Sequence, residues 1–314
     1  MAKAHNPRRG SMQFWPRKRA RRDYARIRSW PVLKEAKPLG FIGYKVGMTH
    51  AMVTDNRAKA LTVGMSIQMP MTIIECPPIT VMGISFYKNS KKLTQILADQ
   101  FDKNLKRKIQ LPKNKKAKVP EDFDDLRILV HSHPKLTTIG GKKPQIIELG
   151  IGGSKEEKLA YAQEKLGKDI MVAEVFAAGN SIDIHGNTTG KGFQGVTKRY
   201  GVPLKSHKSE KGQRGIGNLG AWTPKRVDYR VALPGKMGYH QRTEYNKQIL
   251  RVGDKPEDVN KKKGIKRYGV VKNNFILVKG SVSGPSRRII TMLHSIRPDV
   301  KMTKEAPEIT YISQ

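Results

Sequence analysis

From Gly190 to about Arg242 the sequence runs for some fifty residues with no repeat of apolar side chains at helical or strand spacing, and it is dense in lysine, arginine and glycine. A segment of that length without an apolar face cannot bury itself in a compact domain, so it reads as a functional excursion held by something outside the core. The charge indicates what holds it. Residues 190–250 carry 13 Lys and Arg against 3 Asp and Glu, and residues 1–38 carry 12 against 2, so each segment is +10. The chain as a whole is +35, which leaves +15 for the other 215 residues, roughly a third of the density. Such segments repel themselves when compact unless an anionic partner lies against them. Nucleic acid fits best, because each phosphate neutralised by Lys or Arg releases condensed counterions; a membrane surface is the weaker alternative.

The rest of the chain can fold. With 314 residues, 37% of them hydrophobic, it can bury a core, and its length suggests about two domains. Cys76 is the single cysteine, which excludes an intramolecular disulfide framework and a cysteine-cluster zinc site and points to a reducing compartment. No run of about 18 apolar residues is present, and the basic N-terminus lacks the apolar stretch of a signal peptide. A cytoplasmic protein without membrane association is expected.

All three tryptophans lie in or beside the basic segments: Trp15 in QFWPRKRARR, Trp30 in RIRSWP and Trp222 in GAWTPKR. A tryptophan is more often a core residue. Flanked by Pro, Gly and Arg without a periodic apolar run, these three suit stacking on unpaired bases or packing on ribose. The candidate RNA-contacting residues in the first segment are therefore Arg8, Arg9, Trp15, Arg17, Lys18, Arg19, Arg21, Arg22, Arg26, Arg28 and Trp30. In the second they are Lys191, Lys198, Arg199, Lys205, His207, Lys208, Lys211, Arg214, Trp222, Lys225, Arg226, Arg230, His240 and Arg242. RKRARRDYARIR has no apolar face wide enough for a buried helix, and the first 38 residues read as an arm that orders on its partner, with a disordered solubilising tail as the alternative.

From Leu39 the texture becomes β-rich. FIGYKVGMTHAMVTDNRAKALTV predicts a hairpin-like pair around Asp55-Asn56; MTIIEC, ITVMGISFY, LRILVHSH, PQIIELGI and VAEVFAAGNSIDIHG predict strands, as do the runs in YGVVKNNFILVKGSVSGP and RRIITMLHSIRP, before a polar tail. Leu93, Leu97, Phe101 and Leu105 recur every fourth residue and predict a helix, and Leu159, Ala162 and Leu166 mark a second. The Lys-rich stretch KRKIQLPKNKKAKVP reads as a surface loop. The outline is mainly β with an α+β insertion and long irregular basic extensions.

Several patterns suggest chemistry and fail on context. Gly190, Gly192 and Gly195, and again Gly215, Gly217 and Gly220, match a dinucleotide fingerprint, but no apolar helix follows either to hold a pyrophosphate. HGNTTGKGF fails as a P-loop, since Gly192 stands where a magnesium-binding Ser or Thr is needed. These glycines instead let bare backbone approach crowded phosphates while Lys and Arg neutralise them. His131 and His133 alternate on one strand face, but metal ligation needs a third ligand that the sequence does not nominate, and they read as structural. No nucleophile, base and orienting residue form a set. No enzyme, cofactor, metal or small-molecule substrate is expected.

Long motifs in a fixed order make a more specific case. RRGSMQFWPRKRA, FIGYKVGMTH, HGNTTGKGFQGVTKRYG, IGNLGAWTPKRV, GYHQRTEYNKQI and FILVKGSVSGP together resemble the ribosomal protein L3 family in its archaeal/eukaryotic form, over almost the whole chain. The resemblance implies a six-stranded β-barrel of the translation-protein type and two extensions that penetrate rRNA. On that basis residues 1–38 form the arm, 39–87 the first part of the barrel body, 88–175 the α/β insertion, and 176–189 a barrel strand. Residues 190–245 form a central finger, and 246–314 the final barrel strands and C-terminal tail. It also implies a finger tip of Gly220, Ala221, Trp222 and Thr223 near the peptidyl transferase centre and the path of aminoacyl-tRNA accommodation, with the family's histidine before the tip at His207. Implied partners are 23S-type rRNA near its 3′ region, bound early in assembly, and the large-subunit proteins L14 and L24e. An RNA-modifying enzyme or a DNA-architectural protein would use the same basic segments for capture; the first needs a catalytic constellation, and the second is separated by competition between duplex DNA and rRNA.

Overall fold

A computed structural model of the chain describes residues 8–112, 118–303 and 305–313. The first seven residues of the expected arm, positions 113–117 of the expected Lys-rich loop, and residues 304 and 314 of the tail lie outside the described residues. The strands are β1 (Gly40–Thr54), β2 (Ser66–Glu75), β3 (Ile79–Lys88), β4 (Lys91–Leu97), β5 (Asp125–Ser132), β6 (Ile146–Gly150) and β7 (Asp169–Ile170). After them come β8 (Ser181–Asn187), β9 (Phe193–Gln194), β10 (Gly235–Lys236), β11 (Gln241–Gly253), β12 (Phe275–Lys279), β13 (Ile289–His294) and β14 (Ile309–Ile312). Three short helices are α1 (Lys155–Glu164), α2 (Val172–Val175) and α3 (Val196–Tyr200). The chain forms two compact units: Met1–Arg22 with Asn187–Gln241, and Asp23–Gly186 with Arg242–Gln314.

The larger unit is mostly β and holds two sheets. Six strands run in the order β13-β8-β11-β12-β2-β1, and β1 pairs back onto β13, so the ring closes. β1 makes this possible by its length. Its first half faces β13, with Gly40 opposite Leu293, and its far half takes up β14, with Ala51 opposite Ile312. A register shift between Lys45 and Gly47 bends it against β2. Fully buried Phe41, Ile74, Met71 and Phe275 belong to the core, and closure leaves the ring without the unpaired edges of an open sheet. Among the carboxylates buried in the larger unit is that of Glu75. Glu75 is wholly inaccessible and accepts from the Tyr268 hydroxyl, from the backbone N–H groups of Lys272 (2.9 Å) and Asn273 (3.0 Å), and from Asn273 Nδ2 (2.7 Å). Burial and the neighbouring Glu75 charge push the Tyr268 phenol well above its ordinary range, so it stays a donor.

The second sheet runs β4-β3-β5-β6, with β7 beside β3. α1 begins with a capping box: Glu157 N–H donates to Ser154 Oγ, and Ser154 N–H to Glu157 Oε2 at 2.9 Å. Ala162 is buried, and Leu159 and Leu166 pack on the core beside it, the stripe that the sequence predicts.

Several expectations are corrected. The helix predicted through Leu93, Leu97, Phe101 and Leu105 is instead strand β4 followed by a 3-10 turn, Lys103–Arg107. Ile96 pairs opposite Ile84 of β3, Leu93 is about half exposed and Leu105 fully buried, so the four residues share no face; cross-strand pairing overrides a local period. β3 belongs to the second sheet, so that sheet opens at Ile79, ahead of the insertion's expected start. The hairpin around Asp55 exists, but its return strand starts at Ser66. Asp55 holds the intervening loop by accepting from Arg57 Nε (2.9 Å) and Thr62 Oγ1, and these bonds keep its carboxyl well below the usual range. VAEV is a helical turn before β8, and the polar tail contains β14.

The expected arm also divides. Residues 23–38 belong to the larger unit, where Ala25 is buried and Tyr24 and Trp30 pack against its core. Leu33 and Lys37 carbonyls accept from Gly153 and Gly152 N–H groups, each at 2.9 Å. A Cβ at Gly152 would fall 2.4 Å from the Glu35 carbonyl, so only glycine admits that approach. Among the described residues no helix is long and apolar enough to cross a membrane.

Candidate nucleic-acid interface

The smaller unit concentrates charge. It contains 19 Lys and Arg but only two acids, Glu210 and Asp228, so about a quarter of the chain carries nearly half of its net charge. From residue 201 to residue 234 no helix or strand forms. Turns there are closed locally, by Lys205 N–H to Gln213 O at 3.0 Å and Lys225 N–H to Trp222 O at 2.7 Å. Leu204, Leu219, Trp222, Val227 and Tyr229 are exposed along the same stretch, Trp222 to 83%. Exposed apolar and aromatic side chains beside closely spaced positive charges form a surface suited to a polyanion with flat hydrophobic faces.

Within this unit, residues 8–22 of the arm are fastened to the base of the finger. Trp15 stacks at a tilt on Tyr200, with ring centroids 5.6 Å apart, and meets Tyr229 edge-on at 6.3 Å. Arg17 lies over the Tyr200 ring at 4.2 Å and donates from Nη1 to the Arg199 carbonyl, while Arg8 donates to the Arg230 carbonyl. Gly10 sits so close to Tyr200 that a Cβ would fall 2.4 Å from Cδ1. α3 presents Tyr200, and Gly201, in the left-handed region at φ 69°, ends that helix. β9 and β10 close the finger's base, where Arg199 donates to the Leu233 and Lys236 carbonyls at 2.8 and 3.1 Å.

The predicted site residues therefore fall into three groups. Arg9, Lys18, Arg19, Arg21, Arg22, Lys191, Lys198, His207, Lys208, Lys211, Arg214, Lys225, Arg226 and Arg230 are exposed on the small unit, as are Gly220, Ala221, Trp222 and Thr223; Arg8 is exposed while bonded to Arg230, and Lys205 is half-buried. Trp15, Arg17, Arg199 and His240 build that unit from inside. His240 is buried, accepts at Nε2 from Gly238 N–H (3.2 Å) and donates from Nδ1 to the Lys18 carbonyl. Both bonds are met by the Nδ1–H tautomer, so the ring is fully used within the protein. The last group, Arg26, Arg28, Trp30 and Arg242, belongs to the larger unit; the Trp30 ring contacts Gly150 and has the Arg127 guanidinium 5.8 Å from its centre.

Sequence reasoning passed over exposed Phe193, Tyr229 and Lys236 in the small unit and the basic run Lys261, Lys262, Lys263, Lys266 and Arg267 in the larger one. The run KKKGIKR carries its own signal in charge density; its flanking Val259 and Tyr268 are buried and hold it at the surface. Among the described residues, His, Cys, Asp or Glu ligand atoms group in threes only at Asp102, His131 and His133, in the larger unit.

The chain matches the family model for ribosomal protein L3 over residues 1–125 and 110–314. It is 46% identical to the large ribosomal subunit protein uL3 of Methanocaldococcus jannaschii, with 98% of this chain and 96% of that protein aligned. It is 45% identical to the uL3 proteins of Methanobrevibacter smithii and Methanosphaera stadtmanae, in each case over 100% of this chain and 98% of the relative. Likeness at that level from end to end, covering barrel strands and irregular basic segments alike, places the chain in the ribosomal protein L3 family.

Proposed function

We propose that this chain is a non-catalytic structural constituent of the cytoplasmic large ribosomal subunit, bound to 23S-type rRNA. The observation that carries the reading is the full-length likeness to proteins named large ribosomal subunit protein uL3. The geometry agrees with it. The small unit has little core of its own and a dense positive charge, as expected of a segment whose packing is completed by RNA.

The closed six-stranded ring is a translation-protein-type barrel that docks on folded RNA near the 3′ region early in assembly. The arm and finger replace counterions between RNA helices that would otherwise repel. The tip, with Trp222 exposed, reaches toward the peptidyl transferase centre and affects aminoacyl-tRNA accommodation. L14 and L24e are the neighbouring proteins. Co-sedimentation of the tagged chain with large subunits through a high-salt wash tests the proposal: retention at one copy per subunit is expected, and a predominantly free soluble pool would overturn it.

A further inference from the structure

We propose that Asp102, His131 and His133 form a binding site for one zinc-type divalent metal ion, with Thr80 and Asp169 as its supporting groups. Sheet register assembles most of it. Asp169, Thr80 and His131 stand directly opposite one another across β7, β3 and β5, so their side chains share a face. His133 follows two residues after His131, and the two rings lie 4.6 Å apart at 64°. Asp102 arrives from a distant segment as the N-cap of the turn Lys103–Arg107, where its Oδ1 accepts from Asn104 N–H at 2.9 Å. Asn104 Nδ2 reaches both carboxylate oxygens, and Oδ2 lies 3.4 Å from His133 Nδ1. One ligand atom from each of the three side chains lies within 4.8 Å of the others.

The single Thr80 hydroxyl proton goes to Asp169 Oδ1, because a carboxylate only accepts. Toward His133 Nε2, 2.6 Å away, Thr80 can then only accept, so Nε2 carries the ring proton. His133 Nδ1 is left with its lone pair facing an oxygen of Asp102. Two lone pairs in that position suit a metal ion between them. His131, 1% exposed, lies beside the same two groups, so one ion would engage both imidazoles and the carboxylate together.

The chain of bonds from His133 through Thr80 to Asp169 is the kind of support that fixes a ligating imidazole, whose second nitrogen donates outward. Two nitrogen donors and one oxygen donor suit zinc, copper, nickel or iron rather than magnesium or calcium. Zinc bonds of about 2.0–2.2 Å in a tetrahedron put ligand atoms about 3.4 Å apart, so the cluster contracts by roughly an ångström on binding. Filling the site would tie β5 to the turn that follows β4.

The full-length protein, purified through a chelator, is titrated with Zn2+ by calorimetry and with Co2+ by visible absorption. One equivalent should bind, with the cobalt bands of a four-coordinate nitrogen and oxygen site. Asp102→Asn, whose side-chain oxygen can still cap Asn104, and His133→Gln should each weaken binding tenfold or more. Thr80→Val should weaken it by about 10- to 100-fold without removing a ligand, and His50→Gln, at an exposed histidine, should leave it unchanged. Zinc should raise the melting temperature of the parent protein and not that of Asp102→Asn, a readout that holds even if His133→Gln does not fold. Absence of one-equivalent binding by the folded parent, or its survival in folded Asp102→Asn, would overturn the proposal.

Discussion

His240 Nδ1 and the Lys18 carbonyl oxygen lie 2.8 Å apart, joining residues 222 positions apart in sequence. Beside them Ala20 N–H donates to the Tyr239 carbonyl at 2.8 Å, and Thr188 N–H to the His240 carbonyl at 2.9 Å. A histidine that sequence alone marks for RNA contact is thus the clasp between arm and finger.

Opening that clasp should be measurable without RNA. His240→Ala strands the Lys18 carbonyl and the Gly238 amide, a penalty of about 1–3 kcal/mol. Hydrogen exchange at the Ala20 amide is expected to rise at least tenfold while exchange in β1 and β2 stays at its parent rate. Unchanged exchange at Ala20 would mean the ring contributes nothing to the junction.

Trp222 poses the opposite case. At 83% exposure it supports no packing, so Trp222→Ala is predicted to leave the melting temperature and subunit incorporation nearly unchanged while altering aminoacyl-tRNA accommodation rates. A drop of several degrees in melting temperature would show that the ring belongs to a core.

The affinity of the isolated protein for large-subunit rRNA should depend steeply on salt. With about ten phosphates neutralised, log K is expected to fall against log salt with a slope of roughly −7 to −9. Filter binding between 50 and 300 mM salt measures it, and a flat response would exclude a counterion-release interface.

Acid sensitivity should trace in part to His294. Burial, then the nearby Lys37 charge, pushes its pKa down to about 4. Between that value and its ordinary 6.5 the unfolded chain binds more protons than the folded one. This contribution to stability is therefore complete above pH 6.5, declines as pH falls through the window, and is gone below about 4. The local slope approaches about 1.4 kcal/mol per pH unit. Urea unfolding of the parent and His294→Gln at pH 4.5 and 6.5 should show a smaller pH difference in the variant.

What could be read from sequence was whatever a residue's own neighbours decide. The irregular stretch 201–234 announced itself by missing periodicity and local charge, and α1 by the stripe of Leu159, Ala162 and Leu166, of which Ala162 is buried. Register and partners across long separations were not legible. Trp15 looks free until Tyr200 is placed beneath it, and Trp30 until Gly150 is. Leu93 to Leu105 mimic a helix because the pairing of Ile96 with Ile84 is not written in that window. His131 and His133 lacked a third ligand for the same reason: Asp102 reaches them only through the fold.

The closed ring also sets a timetable for synthesis. Gly40 must wait for Leu293, about 250 residues later, before the barrel can shut. At about 5–20 residues per second that interval lasts on the order of 12–50 seconds. The basic stretch 187–241 emerges within it. A nascent chain therefore carries half-built strands and a cationic loop together before the ring can close.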